Sequence, residues 1–309
     1  MTETSMPTRV RWARVWLFYG IAFAWLSAMA LIVKLVWGGL DGTQGGLAVT
    51  AVIALGMFGP LIAALVVDRI DGRRPLILST FKGFSKAVLP IIGLAAGLMV
   101  LCIPLMLGLS WLGGNVLGIP GVGVVDPDPV SLGGMMGGLV PAGTDTAQLA
   151  LMVLGLTFIN ALIAGLTINA LFAFGEEYGW RGWLMDELRP LGTVKANLVT
   201  GALWGFWHAP VIIQGYNYGA HRILGVACMM VMCTALSFLF WRAREVTGSV
   251  IAPAVLHGTF NAFVGIFGLF LVGADPAISV PLGLLGALGL AILAGLMWLL
   301  PSAPSSPSE

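Results

Sequence analysis

The chain has 309 residues, of which 58% are hydrophobic and 9% charged, with a mean hydropathy of +0.97 and a formal net charge of +1. Soluble domains carry about 25% charged residues, so this composition excludes an ordinary water-soluble protein, and the near-neutral charge predicts no nucleic-acid partner. The cysteines, Cys102, Cys228 and Cys233, lie in apolar runs without CxxC spacing, which argues against a disulfide framework or a cysteine metal site.

Eight apolar runs follow one another along the chain, each near the roughly 20 residues that a helix needs to cross a bilayer. The runs lie at 15–37, 46–67, 88–112, 148–173, 197–216, 222–241, 249–272 and 279–300. The sequence therefore predicts an all-α fold, a polytopic membrane helical bundle of about eight transmembrane helices.

The long connection at 113–147 is rich in Gly and Pro, which is typical of a loop, and we place it on the outer side. We treat the chain as one integrated membrane domain with three parts. Residues 1–147 contain the first three spans and this loop, 148–272 contain a core of spans four to seven, and 273–309 contain the last span and a polar tail.

The segments between the runs differ in charge, and this difference predicts the orientation in the membrane. Of the 15 lysines and arginines, 13 fall on one side if the runs alternate, whereas Lys34 and Arg222 fall on the other. Because basic segments favour the cytoplasmic side, we expect a multi-pass protein of the cell membrane with N- and C-termini in the cytoplasm. Arg9, Arg11 and Arg14 precede the first run, whose length favours a retained anchor over a cleaved signal peptide.

A few polar side chains interrupt the later runs, where ionisable groups are costly and indicate a function. Glu176 and Glu177 end the fourth run, His208 lies in the fifth, and His257 and Asn261 lie in the seventh. At 1.5 Å per residue, the two histidines lie roughly 16 Å and 12 Å from the cytoplasmic ends of their helices. A single cavity open to the cytoplasm would keep all of these groups away from lipid.

Helical spacing separates these residues into two groups. Glu177 and Arg181 are four residues apart, so they can form an ion pair along one face. Glu176 is rotated by about 100° and can point towards the histidines instead. His257 and Asn261 are also four residues apart and share a stripe of their helix.

This set of side chains suits the attack of water on a carbonyl carbon. A carboxylate in a partly dry site can take a proton from water, which makes Glu176 a candidate general base. His257 and Asn261 could donate hydrogen bonds to the developing oxyanion. Glu176, His208 and His257 would also suit zinc, whose common catalytic ligands are histidines and a carboxylate. The HExxH spacing is absent, so the sequence requires no cofactor and leaves zinc open.

The same residues form three motifs in a fixed order. They are EExxxR at Glu176–Arg181, FxxxH at Trp204–His208, where Trp stands in place of Phe, and HxxxN at His257–Asn261. These motifs resemble those of the CAAX protease and bacteriocin-processing family, the intramembrane glutamic endopeptidases that include the Ras-converting CAAX prenyl endopeptidase. The resemblance covers about a third of the chain, at 172–265.

The resemblance implies a role for each catalytic candidate. Glu176 and His208 would activate water, while His257 and Asn261 would stabilise the oxyanion. It also implies an eight-span bundle with a cytoplasm-facing catalytic cavity. The substrate would be a peptide or a prenylated, membrane-associated protein.

The remaining motif residues are expected to support the site. By the same resemblance, Glu177 and Arg181 would hold the first motif in shape. We expect Trp204 to pack against the site without reacting, so that its difference from Phe changes only the shape of the pocket.

Two other functions would use the same residues. A proton-coupled transporter would relay protons through the Glu and His side chains, although the absence of an internal repeat argues against it. A catalytically silent immunity or scaffold protein of the same fold would keep the motifs without cleaving a substrate. We predict a membrane-embedded peptidase that cleaves near the cytoplasmic membrane face, with the lipid bilayer and a membrane-associated polypeptide as its partners.

Overall fold

The computed structural model describes residues 8–40, 46–73, 77, 84–135, 140 and 143–301. Two of the 13 basic residues that predict the orientation, Arg74 and Lys82, lie outside the described residues. The polar tail at 302–309 lies outside them as well.

Helices dominate the described chain. In chain order they are α1 (Trp12–Trp37), α2 (Gly46–Gly56), α3 (Gly59–Ile70), α4 (Phe84–Ser110), α5 (Pro129–Met135), α6 (Thr146–Leu166), α7 (Ile168–Glu177), α8 (Met185–Leu188), α9 (Thr193–Trp207), α10 (Ala209–Ile212), α11 (Arg222–Thr247), α12 (Ile251–Phe263) and α13 (Leu284–Met297). Short π-helical segments follow α4 at Trp111–Val116 and α7 at Tyr178–Leu184, and 3₁₀ segments lie at Arg189–Leu191 and Val264–Leu269.

Six helical stretches of the described chain are long and apolar enough to cross a membrane. They confirm the all-α, polytopic membrane bundle, but not the count of eight spans. The fifth and eighth runs contain α9, with 15 residues, and α13, with 14. At 1.5 Å per residue such helices cover only about 22 Å of a hydrocarbon core of about 30 Å.

Two of the predicted runs are broken next to motif residues, and the second run is also interrupted, between α2 and α3. The fourth run divides at Thr167, whose φ of −124° and ψ of −104° separate α6 from α7. The fifth divides at His208, and Pro210 in the first turn of α10 has no N–H to continue the α9 hydrogen-bonding pattern. Both breaks lie close to motif residues.

The outer loop contributes one strand of a small antiparallel sheet. β1 (Val124–Val125) pairs with β2 (Leu271–Val272), so that Val124 lies opposite Val272 and Val125 opposite Leu271. The seventh run was predicted to continue to residue 272, but its helical part ends at Leu269. Apolar composition alone does not distinguish a short strand from the end of a helix.

One end of the bundle is held together by ion pairs. Arg11, just before α1, donates to Asp71 after α3 and to Glu187 in α8, each over 2.6 Å. Arg244 near the end of α11 pairs with Asp186 in α8 at 2.9 Å. We call this end, where α1 begins and α3 and α11 end, the basic end.

The opposite end is built from the connections after α1, after α10 and before α13. Gln214 donates its amide to the carbonyl oxygen of Ala30 over 3.0 Å, which ties the end of α10 to the end of α1. The Tyr218 hydroxyl donates to the carbonyl oxygen of Leu282 over 2.8 Å. We call this the far end.

Helix α12 lies near the centre of the bundle, with 72% of its membrane-length stretch buried. Glycines allow the neighbouring helices to approach closely. A Cβ on Gly258 would lie 2.7 Å from the Ala170 nitrogen in α7, and one on Gly205 in α9 would lie 2.3 Å from the Met230 Cα in α11. These contacts fix α7 on α12 and α9 on α11, and they thereby fix the motif residues relative to each other.

Candidate active site

Two adjacent carboxylates end α7 inside the protein. Glu176 is 2% exposed and Glu177 is fully buried. Asn169, at the start of α7, donates its side-chain amide to the carbonyl oxygen of Gly258 in α12 over 3.1 Å. The break at Thr167 and this contact direct α7 along α12, so both carboxylates face other helices and not lipid.

Glu177 accepts contacts from two other motif residues. Arg181 Nη1 lies 3.0 Å from the carboxylate, so the predicted ion pair is confirmed. His257 Nδ1 lies 2.9 Å from Glu177 Oε1, a contact that helical spacing did not predict because α7 and α12 are distant in sequence. A carboxylate only accepts, so His257 donates from Nδ1 and its Nε2 is left for the cavity.

Trp204 holds the other carboxylate. Its indole Nε1 donates to Glu176 Oε2 over 2.7 Å, and both side chains are buried. The expectation that Trp204 only packs is therefore corrected, because the indole N–H is a hydrogen-bond donor that a phenylalanine lacks. Hydrogen bonds to charged groups are stronger than those between neutral groups, so this contact fixes the rotamer of Glu176.

The guanidinium of Arg181 lies between aromatic rings. It is 4.1 Å from the centre of the Trp204 ring and 5.1 Å from that of Phe240 in α11. Its Nε and Nη2 atoms have no hydrogen-bond partner among the described residues, so cation–π attraction and the Glu177 ion pair stabilise the buried charge. Phe240 also stacks on His257 at 5.7 Å, and no motif in the sequence marks it.

His208 is oriented through the backbone of its own motif. Its Nδ1 lies 2.9 Å from the carbonyl oxygen of Trp204, one helical turn earlier. Since a carbonyl oxygen only accepts, Nδ1 carries a proton, and in the neutral ring Nε2 is free to accept one. The Trp207 ring packs edge-on against His208 with ring centres 4.9 Å apart.

The four predicted catalytic residues line one cavity of about 360 Å³. They are Glu176, His208, His257 and Asn261, and Trp204 lines the same space. Glu177 and Arg181 are buried behind this wall. The cavity therefore brings together a carboxylate, two imidazoles and an amide, while the ion pair supports them from outside.

Residues 148–263 match the family described as type II CAAX prenyl endopeptidase Rce1-like. This part of the chain is similar to the Rce1-like family. It contains all three motifs, so the family resemblance drawn from them is confirmed.

A curated relative of the Rce1-like region is CAAX prenyl protease 2 of Methanococcus maripaludis. The two are 27% identical over 119 residues, which cover 35% of this chain and 42% of the relative. The match thus spans less than half of the relative's length.

The walls of the cavity lead to the far end. Thr50 near the start of α2, Asn217 after α10 and Leu282 before α13 all line it. The described lining includes these residues of the far end, and the cytoplasm-facing opening stays a prediction. The depth of a residue along its helix does not reveal which end of the bundle is closed, and that depends on contacts between distant segments.

Zinc binding by Glu176, His208 and His257 would require their ligand atoms to lie close together. In the described part of the chain, no group of three or more His, Cys, Asp or Glu residues is placed to hold a metal ion. His208 and His257 are each held through Nδ1, and histidines held in this way bind metals through Nε2. The hydrogen bonds of the site therefore do not exclude zinc, and the chelator experiment described below separates the two mechanisms.

Helix α11 supplies a part of the wall that no sequence motif marks. Met229, Met232, Cys233 and Leu236 line the cavity together with the motif residues. They share one face of α11, but a uniformly apolar membrane helix has no pattern that separates cavity-facing residues from lipid-facing ones.

Proposed function

We propose that the chain is a membrane-embedded endopeptidase of the glutamic type. The observation that carries the proposal is the position of Glu176, buried in a cavity with His208, His257 and Asn261 and held by the Trp204 indole. A fixed carboxylate with imidazole and amide groups around one space suits hydrolysis of a peptide bond.

Each motif residue has a step in this reaction. Glu176 would take a proton from water as the water oxygen bonds to the peptide carbonyl carbon, with His208 orienting that water. His257, held by Glu177 and protonated on both nitrogens, would donate from Nε2 to the oxyanion together with the Asn261 amide. The tetrahedral intermediate then breaks its C–N bond, and the proton on Glu176 passes to the leaving amine.

The substrate would be an apolar or lipid-modified polypeptide segment. Most of the cavity lining is apolar, including Val49, Ile53 and Met229, which suits apolar groups beside the cleaved bond. The matched relative is named a CAAX prenyl protease, so a prenylated C-terminal tail is one substrate to test beside unmodified peptides.

The test compares purified full-length variants on a library that contains prenylated and unprenylated peptides. Glu176→Gln and His208→Ala should each lower cleavage about 100-fold or more, the range expected for loss of general acid–base catalysis. Glu245→Gln is the matched control, because Glu245 binds Trp241 and Arg242 near the basic end of α11 and does not line the cavity.

Cleavage that persists in both site variants would refute the proposal, provided that both variants purify and unfold like the wild type. A chelator should leave the wild-type rate unchanged. Loss of activity with chelator and recovery with zinc would replace the glutamic mechanism by a metal-dependent one.

A further inference from the structure

We infer that Tyr216 binds the substrate next to the cleaved bond, with its hydroxyl donating a hydrogen bond to a backbone carbonyl oxygen. The inference rests on the proposed function in calling the occupant of the cavity a substrate. Tyr216 lies outside the three motifs, eight residues after His208, in the connection between α10 and α11. Its hydroxyl would hold the polypeptide, whereas the motif residues would act on the bond that breaks.

The connection after α10 is folded so that Tyr216 reaches the cavity. The Tyr216 N–H donates to the carbonyl oxygen of Val211 over 3.2 Å, which turns the chain back towards α10. On either side of Tyr216, Gly215 has a φ of +100° and Asn217 a φ of +63°, both in the left-handed region that favours glycine. Tyr216 and Asn217 both line the cavity.

The backbone of Asn217 makes this turn unusual. In the part of the chain that the structure describes, Asn217 is the one residue other than glycine with a positive φ. Asparagine tolerates this conformation better than most residues, but it still costs free energy. Such costs are found more often at binding and catalytic sites than elsewhere, which favours a function for the side chains that this turn presents.

Two side chains fix the turn to the rest of the bundle. Gln214 donates to the carbonyl oxygen of Ala30 over 3.0 Å, and the Tyr218 hydroxyl donates to that of Leu282 over 2.8 Å. Between these two anchors in the sequence, Tyr216 packs against the hydrophobic core. The ring is therefore in position before a substrate arrives, which lowers the entropy cost of binding.

Outside the four catalytic candidates, most polar side chains of the cavity wall are already bonded within the protein. The indole N–H groups of Trp204 and Trp207 both donate to other residues. Thr50 donates to the backbone of its own helix over 3.2 Å. Asn217 is exposed, so water can bond its amide. The Tyr216 hydroxyl has no hydrogen-bond partner among the described residues, and it is therefore an unused donor.

This donor lies close to the carboxylate at which the reaction would take place. Glu176 and Tyr216 line the same cavity of about 360 Å³. The Glu176 carboxylate also acts electrostatically on the Tyr216 hydroxyl, so the two groups are near each other. A phenol keeps its proton at neutral pH and can donate it to a hydrogen bond.

A polypeptide in this cavity needs a donor of this kind. Each peptide unit has one N–H and one C=O, and leaving either unpaired away from water costs free energy. The motif residues would serve the carbonyl of the cleaved bond, so a neighbouring carbonyl requires another donor. Much of the remaining wall is apolar, including Val211, Met229 and Met232. Contact with a second carbonyl selects a polypeptide with at least one more peptide bond beside the cleaved one.

Equilibrium binding of a peptide tests the contact. The probe is a fluorophore-labelled peptide from the library of the cleavage test, and the full-length protein carries Glu176→Gln to suppress cleavage. Adding Tyr216→Phe should raise the Kd about 2–10-fold, the range for one hydrogen bond between neutral groups. The unfolding midpoint should stay the same, because the lost hydroxyl bonds no other described residue. An unchanged Kd would overturn the inference.

Tyr218→Phe is the matched control, because it removes a hydroxyl from the same connection. That hydroxyl donates to the Leu282 carbonyl oxygen, and the Tyr218 side chain is fully buried. Its loss should lower the unfolding midpoint and leave the Kd of the probe unchanged. A rise in Kd of equal size in both variants would mean that the whole connection has shifted, and it would also overturn the inference.

Analogues of the probe identify the carbonyl that is bonded. In each analogue, one peptide bond is replaced by an alkene, which lacks the carbonyl oxygen and the N–H. For one analogue, the proteins with and without Tyr216→Phe should bind equally well, whereas the corresponding ester, which lacks only the N–H, should retain most of the difference. A Kd ratio that is the same for every analogue would show that the hydroxyl does not bond a substrate carbonyl.

Cleavage by protein with Glu176 intact separates this inference from the proposed function. A Kd that depends on Tyr216, without cleavage by the wild type, would keep the contact and reject the peptidase. Glu176-dependent cleavage with a Kd that Tyr216→Phe does not change would do the opposite. Absence of both binding and cleavage across the library would reject both.

Discussion

The two ends of the bundle carry different kinds of polar residue. At the basic end, charges meet opposite charges: Arg11 binds Asp71 and Glu187, and Arg244 binds Asp186. In the cavity that leads to the far end, Glu176 is held by an indole N–H and faces open space with His208. We therefore expect the paired, enclosed charges of this protein to contribute to stability, and the residues that line the cavity to carry the proposed chemistry.

The strongest test of this comparison is Glu177, which is enclosed and paired with Arg181 but touches the site. Glu177→Ala should lower the free energy of unfolding by about 3–5 kcal/mol, because it leaves the buried Arg181 guanidinium without its counter-charge. Thermal and denaturant unfolding in detergent would measure the loss. Glu177→Gln keeps an acceptor and should cost less; an unchanged unfolding midpoint in the alanine variant would show that the pair does not stabilise the bundle.

Trp204 should show a different behaviour, because its substitution should lower activity far more than a substitution of similar cost to stability elsewhere. Trp204→Phe retains a ring for Arg181 but removes the donor to Glu176, a charge-assisted bond worth about 1.5–3 kcal/mol. We expect kcat to fall roughly 10–100-fold with little change in KM. Trp183→Phe, which removes an equivalent indole bond to Asp68, is the control and should leave kcat unchanged. Equal losses in both variants would mean that packing, and not the bond to Glu176, is responsible.

Arg11 tests the basic end without touching the cavity. Its pKa is raised above the ordinary value, mainly by the hydrogen bond to Glu187, so the guanidinium stays charged and paired across the working pH range. Arg11→Ala should lower unfolding stability by about 1.5–3 kcal/mol, the range for bonds to charged groups. Cleavage at temperatures below the unfolding transition should be unchanged. A lower kcat in a stable Arg11→Ala protein would contradict the separation of the two ends.

The smallest expected effect lies in the far-end connection before α13. The Ala277 backbone N–H and then His221 lower the pKa of Asp275 below its usual value. The contribution of Asp275 to stability is therefore present above the usual carboxyl pKa and lost as pH falls through the lowered one. Unfolding midpoints between about pH 6 and pH 3 should fall slightly more for the wild type than for Asp275→Ala. Parallel curves for the two proteins would show that this contact does not contribute.

Local spacing predicted the parts of the site that a single helix determines. Glu177 and Arg181 pair because they are four residues apart, and the motif order correctly brought Glu176, His208, His257 and Asn261 to one cavity. Their catalytic roles stay predictions, as do the division of the chain at 147 and 272 and the cytoplasmic position of the termini.

Spacing along one helix could not predict the contacts between segments that are distant in sequence. The hydrogen bond from Trp204 to Glu176 joins α9 to α7. The family pattern has Phe at this position, and Phe has no N–H donor that would indicate such a bond. The break at Thr167 and the strand at Leu271–Val272 lie in runs whose apolar composition does not distinguish helix, break and strand. The basic end is joined by ion pairs between residues as far apart in sequence as Arg11 and Glu187.

The contacts of Trp204 limit how the three motifs can change in evolution. Its side chain contacts Glu176, Arg181 and His257, so the second motif is physically linked to the first and the third. A chimera that receives a Phe-containing second motif from a relative, while keeping its own Glu176 and Arg181, should lose the hydrogen bond to Glu176 and keep the rest of the wall. The three motifs are therefore expected to be exchanged as a set, and substitutions in one should be tolerated only with matching changes in the others.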